Sequence, residues 1–245
     1  MAPGSSSDLA SIEEALGSLP KIELKGLFRG SSNYTFLVEV SGGAKSHLAV
    51  YKPAQGETPL WDFPSGTLYR REVAAYRLAR HLGWPDIPPT VIRSEAPLGV
   101  GALQMYVDAD PRHSYLRPLT GASPDWLAVA LFDVITNNAD RKAGHCLFEA
   151  DGRVWLIDHG LTFNVEPKLR TVIWEHAGEL VPAPLRSDLC RAAESLVDGS
   201  LAEELEPLLS PVELRMLGRR LRAAAKPGYA LPLPTSDWSI PWPPI

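Results

Sequence analysis

A chain of 245 residues with 45% hydrophobic and 22% charged residues is long enough for one large domain or one bilobal unit with a sizeable core. A net charge of -5 gives no reason to expect a nucleic-acid partner, which would favour a strongly basic face. Two cysteines, Cys146 and Cys190, do not make a disulfide framework and point to a reducing compartment.

The start, "MAPGSSSDLASIEEALG", has neither a basic n-region nor a continuous apolar h-region. The apolar stretch "WLAVALFDVI" is far short of the roughly 20 residues a membrane span needs. A cytoplasmic protein without a transmembrane segment is the expectation. Residues 1–7 read as loose, followed by a short helix with Leu9, Ile12 and Leu16 on one stripe. "KIELKGLF", "TFLVEV" and "HLAVYK" then read as an antiparallel meander of three strands, separated by "RGSSN" and "SGGAKS". After the loop "PAQGETPLWDFPSG", a helix is expected over about 67–82, stopped by Gly83. "TVIR" and "GALQMYV" add two strands.

The rest reads as mainly helical. "SPDWLAVALFDVITNN" is apolar almost all round and reads as a buried central helix, with Ser123 as N-cap and Pro124 at its first position. Three helices are expected in "SDLCRAAESLV", "SLAEELEPLL" and "SPVELRMLGRRLRAAAK". The last carries a capping box in Ser210 and Glu213. The segment from Pro227 is rich in Pro and Trp and reads as extended, with Trp238 and Trp242 packed over the helices. A β-rich part over 1–107 and a helical part over 108–245 suggest an α+β chain of two lobes with a cleft.

On a helical wheel, Leu68, Glu72, Ala75, Ala79 and Leu82 share one narrow apolar stripe. Glu72 is therefore expected to be buried, and a buried carboxylate needs a partner. Lys52, at the end of "HLAVYK", is the obvious one. A strand lysine paired with a helix glutamate is a known way to hold nucleotide phosphates. The plainer reading is a snorkelling Glu72 and a surface Lys52.

"DRKAGHCLFEADGRVWLIDHG" places polar groups on both flanks of a hairpin. Asp151-Gly152 is a two-residue turn signal. In that register Ala150 opposes Arg153, Cys146 opposes Ile157 and His145 opposes Asp158, close enough for the last pair to share one cation. Asp140 enters from the preceding loop. Carboxylates suit Mg2+, and an imidazole adds tolerance for Mn2+ or Zn2+. A salt-bridged hairpin end without a metal stands beside this reading.

"NADRKAGHCL" followed by "DGRVWLIDHGL" resembles the catalytic loop and metal-binding segment of phosphatidylinositol 3-/4-kinases, above all those of the type II phosphatidylinositol 4-kinases. "YKPAQGETP" and "EVAAYRLARHLGWPDIPPT" resemble that family's lysine strand and its glutamate helix. The chain is also similar to a smaller, mainly actinobacterial, family of such lipid-kinase-like proteins. The resemblance covers about 30–161 and implies a bilobal protein-kinase-like fold, with a β-rich N-lobe carrying one main helix and a helical C-lobe.

Carried over, Lys52 would hold the ATP phosphates and Glu72 would orient it. Ser31, Ser32 and Asn33 would lie over the phosphates, and Gln104, Tyr106 and Val107 would form the hinge beside adenine. Asp140 would be the catalytic base, and His145 and Asp158 would bind Mg2+ or Mn2+. His145 stands where the family usually has Asn, so a shifted metal preference or impaired transfer is implied.

The expectation is thus an ATP- and divalent-metal-dependent phosphotransferase acting on an unidentified hydroxyl of a protein, small molecule or lipid head group. Its alternatives are a nucleotide-binding pseudokinase scaffold and a metal-dependent hydrolase built on Asp140, His145 and Asp158. Arg141 and His159 read as structural residues and Cys146 as a small buried hydrophobe. Lys142 is a candidate for approaching the transferring phosphate. The stripe of Arg215, Arg219, Arg222 and Lys226 reads as a solvated face.

Overall fold

The computed structural model describes residues 6–28 and 32–245. Ser31, expected over the phosphates, lies outside the described residues together with Gly30. The chain forms two compact units, residues 1–76 with 88–107, and residues 77–87 with 108–245.

The first unit is built on a five-stranded antiparallel sheet. After helix α1 (Ser6–Ser18) come β1 (Lys21–Leu27), β2 (Phe36–Gly42) and β3 (Lys45–Pro53), which form the expected meander. Then follow helix α2 (Leu68–Leu82), of which the residues up to Tyr76 belong to this unit, β4 (Thr90–Arg93) and β5 (Gly101–Met105). The order is β1-β2-β3-β5-β4, so β5 inserts between β3 and β4. Gly101 explains how closely β5 approaches β3, since a Cβ there would sit 2.5 Å from the Lys52 carbonyl oxygen. Val38, Val40, Ala49, Tyr51 and Leu103 are fully buried in this sheet. Helix α1 lies against β3, β4 and β5, buries Leu16, and is tied by Arg93, whose guanidinium donates to the Leu16 and Leu19 carbonyls. Helix α2 ends as read, with Gly83 at φ +82° and its N–H on the Ala79 carbonyl.

The second unit holds helix α3 (Trp126–Thr136), a hairpin of β6 (Cys146–Phe148) and β7 (Val154–Leu156), and helices α4 (Ala183–Asp198), α5 (Ser200–Leu205) and α6 (Pro211–Ala224). α6 packs on α3 and α4, and α5 packs on α4. Helix α3 is buried nearly throughout, as its composition requires. Its cap is corrected: Asp125, not Ser123, is the N-cap, and its carboxylate accepts from the Ala128 N–H at 2.9 Å. A charged acceptor at that end is favoured both as a hydrogen-bond partner and by the helix dipole. The Ser210–Glu213 capping box of α6 is present.

Two further expectations fail for physical reasons. Trp238 and Trp242 do not pack over the helices but are 78% and 89% exposed. The hairpin register is shifted by one residue, with Cys146 opposite Leu156, Leu147 opposite Trp155 and Phe148 opposite Val154. The loop has three residues, Ala150 to Gly152, closed by the Gly152 N–H on the Glu149 carbonyl. The Asp151 side chain accepts from the Arg153 N–H at 3.0 Å, and Gly152 takes φ +91°. An aspartate that caps its own turn, followed by a left-handed glycine, suits a three-residue loop. Side chains reinforce the register: the Trp155 indole donates to Glu149 at 2.7 Å, and the Arg153 guanidinium lies 3.8 Å over the Trp155 ring centre.

Candidate active site

In the first unit, β3 delivers Lys52 and α2 delivers Glu72. Glu72 is buried in the apolar stripe, and the Lys52 ammonium donates to its Oε1. The Ser32–Asn33 stretch is pinned to the loop after β3: Asn33 Oδ1 accepts from the Thr58 N–H at 2.7 Å, and the Ser32 carbonyl from the Thr58 hydroxyl at 2.7 Å. Gln104 is buried in β5, where its amide donates to Thr90 Oγ1 at 2.9 Å. The Tyr106 N–H donates to the Leu48 carbonyl, and Val107 is buried. Of these groups the structure brings Lys52 and Glu72 into direct contact.

In the second unit, α3 and the hairpin bracket the loop carrying Asp140. Asn137, in the left-handed region at φ 55°, ends α3. The Asn138 side chain then accepts from the Asp140 N–H at 3.0 Å and donates to Asp133 at 2.9 Å. Arg141, wholly buried, grips Asp133 with Nε and a terminal nitrogen at 3.0–3.2 Å. Its other terminal nitrogen donates to the Ile157 carbonyl at 3.0 Å, and the first also donates to His159 Nε2 at 2.7 Å. One guanidinium thus fixes the residues on either side of Asp158 relative to the loop of Asp140. Thr171 adds a hydroxyl to Asp133 at 3.2 Å. His159 is wholly buried and serves this network.

The register shift does not separate His145 from Asp158. His145 stands in a 3-10 turn (Ala143–His145), and Asp158, beyond the end of β7, takes φ 61°. Their side chains meet at 3.2 Å between Nε2 and Oδ2. His145 Nδ1 accepts from the Lys142 N–H at 3.3 Å, so Nε2 carries the ring proton toward Asp158. For the imidazole to ligate a cation through Nε2, it must give up that proton and the Asp158 contact. Lys142 Nζ lies 3.3 Å from Asp140 Oδ2. Burial raises the Asp140 carboxyl above its ordinary range, against the lowering effect of Lys142, and the charge of Asp158 adds to the rise. Cys146 is buried beside this site and its thiol is pushed up to about 12, chiefly by burial.

The sequence reading missed Asp133, Asn138 and Thr171. Asp133 carried the same signal that exposed Glu72: it is the only charge in "WLAVALFDVIT", so burial and a partner follow. Among the described residues, no group of three or more His, Cys, Asp and Glu is arranged to hold a metal ion. Mg2+ is commonly held by one or two carboxylates plus substrate phosphates rather than by a full protein cage, so Asp158 and the nearby Asp140 fit that mode. No helix among the described residues is long and apolar enough to cross a membrane.

A five-stranded antiparallel sheet with its lysine–glutamate pair, and a helical unit with an Asp140 loop and an Asp158 segment, define a kinase-like α+β fold. The crystal structure of a Helicobacter pylori proinflammatory kinase, CtkA, is similar at a TM-score of 0.50 and 12% identity, over 82% of this chain and 90% of that one. That likeness concerns the fold. The chain is 38% identical to Protein Rv2133c of Mycobacterium tuberculosis over 269 residues, 94% of this chain and 95% of that protein. It belongs to the family of that protein. It is also 30% identical to phosphatidylinositol 4-kinase gamma 4 of Oryza sativa subsp. japonica over 166 residues, 54% of this chain but only 29% of that enzyme. No protein-family model matches the sequence.

Proposed function

We propose that the protein is an ATP- and divalent-cation-dependent phosphotransferase acting on a hydroxyl group. The Lys52–Glu72 pair, buried at Glu72 and partly exposed at Lys52, carries the reading. Glu72 holds the Lys52 ammonium in place while part of the lysine side chain remains exposed, as a residue that reaches a phosphate requires. Lys52 would hold the nucleotide phosphates and Glu72 would fix its ammonium. Ser32 and Asn33 belong to the loop we assign to the phosphates, and Gln104, Tyr106 and Val107 to the adenine side. The Gln104 side chain is engaged by Thr90, so backbone groups of that stretch would face the base.

In the second unit Asp140, with its raised affinity for a proton, would take the proton of the attacking hydroxyl. Asp158 would hold Mg2+ or Mn2+, which when bound neutralises phosphate charge. His145 would orient the Asp158 carboxylate through its Nε2 proton. Arg141 keeps the Asp140 and Asp158 segments in fixed relation. Two free cysteines support a cytoplasmic setting.

A second reading, a nucleotide-binding protein with little transfer activity, is favoured by one observation. His145 is engaged with Asp158 where the lipid kinases it resembles use an asparagine.

Titration calorimetry with ATP and Mg2+ or Mn2+ tests the proposal. ATP binds only with a divalent ion. Lys52→Ala weakens binding by about ten- to a hundredfold, as expected for one lost charge-assisted bond of roughly 1.5–3 kcal/mol. Asp140→Ala leaves the affinity within about twofold, because the base acts on the acceptor. Absence of ATP binding with every ion would end the proposal, and equal loss in both variants would overturn the roles.

A further inference from the structure

The Pro/Trp-rich segment from Pro227 has one charged residue, Asp237, and no place in the chemistry above. Its backbone nevertheless touches the loop of Asp140. The Ser239 carbonyl accepts from the Thr171 N–H at 3.0 Å and from the Trp174 indole at 3.2 Å. The Ser239 hydroxyl accepts from the Thr235 and Ser236 N–H groups and closes the 3-10 turn Asp237–Ser239. Five residues on, the Pro244 carbonyl accepts from the Ala143 N–H at 2.9 Å.

Both donors are placed to matter. Ala143 is wholly buried and opens the turn that ends at His145. The first N–H groups of a helical turn have no partner within it, and a buried one needs an acceptor from elsewhere. Pro244 is that acceptor, while the Ala143 carbonyl takes the Tyr115 N–H at 3.2 Å from the other side. Thr171 bridges to Arg141 and reaches Asp133 through its hydroxyl. The segment thus binds the two strips of backbone that flank Asp140. Pro241, Pro243 and Pro244 reduce the freedom of the unfolded segment, which lowers the cost of ordering it.

We infer that residues 239–244 are a positioning element of the active site: they hold the Asp140–His145 loop in place and so keep His145 against Asp158. This rests on the phosphotransferase reading. The exposed Trp242 indole takes no part, because the contacts are backbone contacts.

The test uses the full chain with Pro241→Gly, Pro243→Gly and Pro244→Gly combined, which keeps every carbonyl but loosens the segment. Pro244→Gly alone serves as a milder variant, and Leu233→Ala, at an exposed position outside residues 239–244, is the control. Hydrogen exchange at the Ala143 and Thr171 amides reads the contact directly. Exchange at both amides rises on the order of tenfold in the combined variant, as expected when a local opening becomes easier. Over the same change kcat for phosphoryl transfer falls on the order of tenfold while KM for ATP stays within about twofold, because orientation rather than binding is lost. Unchanged exchange at Ala143, or faster exchange with unchanged kcat, overturns the inference. A parent chain without any transfer defeats the phosphotransferase reading and with it the catalytic role, whereas the Ala143 exchange still reports whether the segment grips the loop.

Discussion

Replacing Asp133 by alanine leaves the Arg141 guanidinium, wholly buried, without its counter-charge. Breaking a buried pair from one side costs about 3–5 kcal/mol, since the remaining charge stays desolvated. Here the loss also removes the acceptor of the Asn138 amide and of the Thr171 hydroxyl proton, which places the expectation at the upper end. For a chain of this size each kcal/mol lowers the melting midpoint by about 2–4 °C, so the drop is about 6–20 °C. Glu204→Ala is the comparison. It removes the partly exposed partner of Arg80, and such pairs contribute about 0–1 kcal/mol, hence at most about 4 °C. Differential scanning calorimetry on both variants decides. Asp133→Leu combined with Arg141→Met recovers much of the midpoint, because apolar replacements remove the desolvated charge altogether. A midpoint for Asp133→Ala within the range of Glu204→Ala would refute the claim that this network holds the loop.

Asp140→Asn changes activity and stability in opposite directions. The folded carboxyl binds its proton more tightly than an ordinary one, so ionising it costs stability as pH rises past the ordinary carboxylate range of about 4. At pH 7 the asparagine variant is therefore more heat-stable than the parent, the gain vanishes in acid below that range, and phosphoryl transfer is lost; a variant less stable at pH 7 contradicts this. In native protein a thiol-specific chromogenic reagent modifies Cys190 and spares Cys146, whose thiol is buried and raised to about 12; equal rates for both would show that the hairpin opens. Ser210→Ala removes a formed capping box and costs about 1 kcal/mol of unfolding free energy by urea titration, whereas Ser123→Ala, at a residue that is not the cap of α3, changes it by less than about 0.5 kcal/mol.

The sequence carries the sheet and helix order because alternation, helical stripes and turn residues are local signals. The meander of β1 to β3 and the Gly83 stop of α2 follow from them directly. Glu72 was legible for a different reason: an acid on an apolar stripe demands a partner, and only a nearby strand could supply Lys52. Asp133 obeyed the same rule and escaped notice because its partner, Arg141, lies in a loop rather than on a patterned element.

The hairpin register turned on how Asp151 spends its side chain, which the Asp-Gly signal alone does not specify. His145 and Asp158 still meet, through a 3-10 turn and a left-handed aspartate that no periodicity announces. The grip of Pro244 on Ala143 was hidden for a similar reason. It is a backbone contact between distant segments, and it leaves no pattern in side-chain identity.

The central claim is that this kinase-like chain moves the terminal phosphate of ATP with Asp140 as base. Incubation with γ-labelled ATP and Mg2+ or Mn2+, followed by counting label released to water or transferred to protein, addresses it most directly. The account predicts divalent-dependent loss of label from ATP by the parent, and none by an Asp140→Ala variant that still binds ATP. Equal label movement by parent and variant, or none by the parent with either ion, would contradict it.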